Sequence, residues 1–228
     1  LDVQIEAPPQ RPESDVDPAV VRRRIEEITA KRASRAVPSY RTTPVSDLVK
    51  DEGVRLSGRG RGRDWGSAVH QALDAAGRGA AGATLARVCR AALLENGRPS
   101  DGGEPEELAE LVDLVEAVGR SRLFARARAA ERLLSEVPFA RPQELEGGDG
   151  LLPGVVEGVV DLAFREPDGW VIADYKTDEV ADPAEMERRL AIYRAQVDLY
   201  AECWEELTGE PVKERILYLT AEDRTESW

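Results

Sequence analysis

The chain has 228 residues, 42% of them hydrophobic, enough for one domain or two small ones and for a substantial core. Its formal charge of −13 argues against a general polyanion binder, because summed charge sets non-specific attraction. No apolar run approaches the roughly 20 residues of a membrane helix. The opening "LDVQIEAPPQ" carries no secretory signal. Cys89 and Cys203 are too few for a disulfide scaffold or a four-cysteine cluster, so a reducing cytoplasm is expected.

Residues 1 to about 18 read as a linker, with prolines at 8, 9, 12 and 18 and no apolar period. With the missing initial methionine, they suggest a piece of a longer chain. An Asp-Pro start and Val21, Ile25 and Ile28 at helical spacing predict a helix over 17–34. "AVPSYRTTPVSDL" reads as extended and then a short helical turn, and 53–64 as a glycine- and arginine-rich loop. Val69, Leu73 and Ala76 share one face of a helix that starts near Trp65. Further helices are expected over about 83–95, around Leu108–Val118, and over 121–134.

After residue 134 the pattern changes. "SEVPFA" reads as short and extended, and "GVVEGVVDLAF" and "GWVIADY" as a hairpin around the turn "EPDG". Residues 183–207 follow the helical period through Leu190, Tyr193, Val197, Tyr200, Trp204 and Leu207, and "VKERILYLT" closes as a strand. The order predicts a single α/β domain with an N-terminal helical part, its boundary near residue 134.

Charge is unevenly distributed. "RLSGRGRGRD" (55–64) and "RSRLFARARAAER" (120–132) are arginine strips, able to touch phosphates or to form a solvated face or an interface. Only four of the 31 basic residues are lysines, so Lys176, inside a strand segment, is informative. If "EPDG" is the turn, Arg165 pairs with Trp170, and Asp161 lies opposite Asp174. By alternation Lys176 then shares the face of Asp174 and Asp161. Two carboxylates that close repel unless something positive intervenes. Two readings stand: Lys176 is the counter-charge in a solvent-facing ion cluster, or the acids hold a divalent cation such as Mg²⁺. Glu157 shares the parity of Asp161 but reads better as a solvated strand end.

The hairpin "EGVVDLAF…GWVIADYKTD" resembles the core of the RecB-like branch of the PD-(D/E)XK nucleases. "GSAVHQAL" (66–73) resembles that branch's histidine motif, "SEVPF" (135–139) its short strand and "YRAQVDLY" (193–200) its following helix. The four motifs come in family order. Val160 stands where the superfamily's eponymous proline would be. "RTTPVSDL" (41–48) strengthens the likeness to the C-terminal nuclease domain of AddA-type helicase–nuclease subunits. The fold implied is a restriction-endonuclease-like core, a mixed sheet flanked by helices.

The resemblance implies Asp161, Asp174 and Lys176 as catalytic residues. It implies His70, Asp161, Asp174 and the Tyr175 carbonyl as ligands of Mg²⁺, with Mn²⁺ as a substitute, and no iron–sulfur cluster. Gln196 and Tyr200, four apart on one helical face, would touch the substrate strand or the Lys176 region. Glu136 is a further candidate, and Trp65 is expected to pack. The implied function is cleavage of single-stranded DNA delivered by helicase motor domains of the same longer chain, with a second helicase–nuclease subunit, in double-strand-break repair and recombination. Two alternatives differ: an inactive nuclease-fold module that guides DNA or assembles a repair complex, and a free-standing or CRISPR-associated nuclease. No GxxxxGK[ST] loop is present, so this segment carries no ATPase motor of that kind.

Overall fold

The computed structural model describes residues 17–35, 40–49, 61–98, 100, 103–143 and 154–228. The expected linker over 1–16 and most of the glycine–arginine loop lie outside them. The first helix, α1 (Pro18–Arg35), matches expectation, yet its apolar stripe of Val21, Ile25 and Ile28 is exposed. Strand β1 (Arg41–Pro44) runs into the short helix α2 (Val45–Leu48). A helical layer follows: α3 (Gly62–Gly77), α4 (Gly82–Glu95), α5 (Leu108–Arg120) and α6 (Arg122–Ala129).

The expected helix over 121–134 is corrected. Helix α6 ends at Ala129, and β2 (Arg132–Gln143) begins three residues later as a twelve-residue strand, not a short one. The Leu133–Leu134 pair is taken up in pairing with β3 (Gly154–Glu166), Leu133 opposite Phe164. The rest is β4 (Gly169–Lys176), α7 (Pro183–Thr208), β5 (Val212–Leu219) and β6 (Arg224–Ser227), the last not foreseen.

These strands form one mixed sheet in the order β1-β3-β4-β5-β6, with β2 on β3. The hairpin register is the expected one, Arg165 opposite Trp170 and Leu162 opposite Ala173. On one face Leu162, Phe164, Val171, Ala173 and Tyr175 pack against α3–α6; on the other Val156, Val160, Ala163 and Ile172 pack against α7. Each fully buried leucine such as Leu73 contributes about 1.5–3 kcal/mol.

Helix α7 is bounded by its sequence. The Asp182 side chain accepts the Ala184 N–H, Pro183 occupies the first turn, and Gly209 closes the helix in the left-handed conformation (φ 70°). A glycine also lets this helix approach the sheet. A Cβ at Gly158 would lie 2.8 Å from the Phe139 ring and 3.0 Å from Tyr200.

Candidate active site

Strand alternation breaks in the middle of the sheet. On β3, Leu162 and Phe164 face the helical layer, whereas Val156 and Val160, of the same parity, face α7. On β2, Leu133 packs against the helical layer, whereas Val137 and Phe139 pack on the α7 side. Ser135 pairs with Leu162 and Val137 with Val160, so the residues between the two ladders are Glu136 and Asp161. Glu136 has φ 49°, a left-handed backbone that a non-glycine residue adopts at a cost. The phase of both strands flips there, and the two acids sit together at the crease.

The sheet also forks at this point. β3 pairs with β4 over Glu166 to Leu162, and then with β1 over Glu157 to Gly154. The expected direct pairing of Asp161 with Asp174 therefore does not form as a ladder. Asp161 instead turns its carboxylate to the freed backbone and accepts the Tyr175 N–H at 2.7 Å. Alternation thus fails to carry one face from Lys176 through to Asp161. Asp161 clusters with Glu136 and His70, whereas Asp174 and Lys176 stand outside that cluster and act on Asp161 through charge.

From the helical layer, His70 on α3 places Nδ1 3.3 Å from Asp161 Oδ1 and 3.3 Å from Glu136 Oε1. His70, Glu136 and Asp161 offer ligand atoms within 4.8 Å of one another. From the α7 side, Lys176 Nζ lies 2.7 Å from Asp174 Oδ2 and donates to Gln196 Oε1 at 2.8 Å. Gln196 Nε2 in turn donates to the Tyr200 hydroxyl at 2.9 Å. Tyr200 is also a core aromatic, edge-on to Phe139.

Asp161 and Asp174 are 6% and 2% exposed, and such burial of two carboxylates demands compensation. Burial opposes the charge on His70, but the Asp161 and Glu136 carboxylates push its pKa up to about 10. Burial likewise opposes charge on Asp161; His70 and Lys176 overcome it and hold that carboxyl below its usual range. Asp174 goes the other way: burial and the Asp161 charge raise it, against the pull of Lys176. Lys176 stays above the usual range because Asp174 and Asp161 outweigh its burial. Lys176 Nζ, 2.7 Å from Asp174 Oδ2, forms a buried ion pair with it. A hard cation fits the site: carboxylate oxygens dominate it, and one imidazole joins them within 4.8 Å.

Away from the crease, Glu157 is exposed at the strand end. Trp65 is buried in the helical core beneath the Arg61 guanidinium. In the arginine strips, Arg61 pairs with Glu107 and Glu110, Arg120 with Glu116, and Arg126 with Glu166 and Glu214, so these three are engaged internally. Sequence reasoning did not single out Gly158, Asp178 or Arg189. Their signals were a glycine inside a strand, the last residue of "DYKTD", and an arginine four residues before Tyr193 in the apolar stripe of α7.

An ATP-dependent helicase/nuclease subunit of Acetivibrio thermocellus is 42% identical over 110 residues, 43% of this chain and 8% of that protein. The same-named protein of Heliobacterium modesticaldum is 32% identical over 199 residues, 78% of this chain and 13% of the relative. That of Clostridium novyi is 34% identical over 116 residues, 46% and 9% respectively. The chain thus matches only about a tenth of the length of these relatives. The sequence pattern of the PD-(D/E)XK nuclease superfamily spans residues 48–227, and the chain belongs to that superfamily.

Proposed function

We propose that this domain hydrolyses phosphodiester bonds of single-stranded DNA with Mg²⁺, Mn²⁺ serving as a substitute. The observation that carries the reading is the convergence of His70, Glu136 and Asp161 on one crease, with the buried Asp174–Lys176 pair close by. Asp161, Asp174, His70 and Glu136 would hold the cation, with the Tyr175 carbonyl at the same fork. When bound, such a cation neutralises phosphate charge and makes a nearby water more acidic.

The chain's own residues supply the rest. His70 would have to present a neutral ring nitrogen to the cation, so its binding would be coupled to loss of a proton from the imidazole. Lys176 faces the developing negative charge of the phosphate and orients the attacking water, an electrostatic role that needs a fixed ammonium. Gln196 Oε1 fixes it by accepting a hydrogen bond from the ammonium, and the Tyr200 hydroxyl fixes Gln196 by accepting from its Nε2.

The relatives' helicase/nuclease name supports delivery of the strand by motor domains in the same longer chain. We place that assembly, with a second helicase–nuclease subunit, in cytoplasmic double-strand-break repair. No helix among the described residues is long and apolar enough to cross a membrane. Tethering to a motor would raise the local concentration of the strand without new contacts, which suits a domain of net charge −13.

The test is cleavage of an end-labelled single-stranded oligonucleotide. Mg²⁺ should support it, EDTA should stop it, and Lys176→Ala should slow turnover by about 100-fold or more. Cleavage that persists undiminished in EDTA or in the variant would place the chemistry elsewhere.

A further inference from the structure

Lys176 needs more than a hydrogen bond to Gln196 to hold one position. Its stem has four rotatable bonds, and fixing them costs conformational entropy that rigid walls must offset. One wall is the ring of Tyr193, whose centroid lies 4.8 Å from Nζ. Tyr193 is itself nearly buried and donates its hydroxyl to Asp178 Oδ2 at 2.7 Å. The other Asp178 oxygen accepts from Arg189 Nη1 at 3.1 Å. Arg189 Nε is anchored on Glu185 Oε1 at 2.9 Å.

Arg189 is 1% exposed, in a helix face whose neighbours Met186, Leu190 and Tyr193 form a small apolar cluster. An isolated buried guanidinium is costly, and an apolar side chain of similar volume would suit such a place better. Its position suggests what it does. Asp178 lies two residues beyond Lys176, in the connection from β4 to α7, and Arg189 and Tyr193 are four apart on α7. The network bolts the segment leaving Lys176 to the helix that carries Gln196. The backbone of Lys176 is fixed independently, because its carbonyl accepts the Thr220 N–H at 2.9 Å and the Thr220 hydroxyl at 3.1 Å. With its carbonyl held from the end of β5 and the residue two positions on held by α7, the lysine stem has one direction in which to emerge.

We propose that Asp178 and Arg189 are positioning residues for Lys176, acting through Tyr193 to aim its ammonium at Asp174. This rests on the catalytic reading of Lys176 given above. Neither residue touches substrate. A merely structural salt bridge at the start of α7 would lower the melting temperature and leave the lysine in place.

The experiment therefore reads the lysine as well as the rate. Crystal structures of Asp178→Ala and Tyr193→Phe, without metal, should show Lys176 Nζ displaced from Asp174 Oδ2. Arg189→Met is the substitute should Asp178→Ala fail to fold. In the oligonucleotide assay with Mg²⁺, the same variants should lose about tenfold or more in kcat, with KM and the Ca²⁺-induced rise in melting temperature unchanged. Asp178→Asn, which keeps an acceptor for one donor, should restore part of kcat. The proposal is overturned if Lys176 keeps its 2.7 Å contact in the variants, or if kcat falls only as far as the folded fraction does. If the wild type does not cut DNA at all, the catalytic reading of Lys176 fails, while the lysine's coordinates still decide whether Asp178 and Arg189 position it.

Discussion

Replacing Asp174 by asparagine should inactivate the domain and stabilise it. The side chain is 2% exposed, and its Oδ2 is ion-paired with Lys176 Nζ at 2.7 Å. Burial and the Asp161 charge nevertheless raise its pKa to about 6, so at neutral pH the ionised form is disfavoured in the folded state. Asparagine keeps the shape and removes the charge. The variant loses the attraction of Lys176, but Lys176 retains Gln196 and the nearby Asp161 charge. The net expectation is a gain of about 1 kcal/mol, which in a domain of this size raises Tm by roughly 2–4 °C.

The sign of its pH dependence follows from the raised carboxyl. A group with a folded pKa above the unfolded 3.8 contributes stability that is fully present below 3.8 and is lost as pH rises through the folded value. The advantage of Asp174→Asn should therefore be largest at pH 7–8 and vanish near pH 4. Divalent cation reverses the comparison. Cation binding only the native state stabilises it by mass action, about 1.4 kcal/mol at ten times the dissociation constant. Wild type should rise in Tm with Ca²⁺, and the variant should rise far less. Calorimetry with and without Ca²⁺ at three pH values reads all of this. A fall of several degrees in metal-free Asp174→Asn at pH 8 would refute the reasoning. It would make Asp174 above all a structural counter-ion of Lys176.

Glu136→Gly should melt above Glu136→Ala by about 1 kcal/mol, because only glycine adopts φ 49° without a Cβ penalty, and both should weaken Ca²⁺ binding by calorimetric titration. Equal melting points would mean that the crease relaxes when the acid leaves. Gly158→Ala drives a Cβ into Phe139 and Tyr200 and should cost about 1–3 kcal/mol, with Tm falling by roughly 2–10 °C; an unchanged Tm would show that the rings yield freely. Hydrogen bonds from Arg126 depress Glu166 from 4.5 to about 2, opposed by burial and aided by Lys213. That stability is present above pH 4.5 and lost as pH falls toward 2, so Arg126→Met should lose about 1–2 kcal/mol at neutral pH and flatten the acid decline of Tm. An acid limb as steep as wild type's would assign the decline to other groups.

The fold and the members of the site were legible in the sequence to different depths. The hairpin register followed from turn chemistry, and the helical faces of α3 and α7 from the apolar period, because local rules decide both. The extra length of β2 was not legible. Its first residues continue a helical composition, and only pairing with β3, a contact distant in sequence, makes them a strand. The site shows the limit of period-two reasoning more sharply. Counting by twos put Asp161, Asp174 and Lys176 on one face. The three residues do lie near one another, but the rule that gathered them breaks at Asp161.

Nothing in "SEVPF" announces that Glu136 will take a left-handed backbone, for a glutamate there is an unfavourable local choice that only the surrounding ladders impose. The break is what the site requires. A strictly alternating sheet would turn every other side chain toward one layer, and a residue that faced α7 could not meet a histidine from α3. At the crease, Asp161 and Glu136 meet His70 from the helical layer, while Asp174 and Lys176 approach from the α7 side, and the fork of β3 toward β1 frees the edge on which Asp161 takes the Tyr175 N–H. The backbone strain at Glu136 is thus the local cost of joining two layers at one cluster of candidate ligands. That is why we expect glycine to be better tolerated than alanine in place of the acid, while either change weakens cation binding.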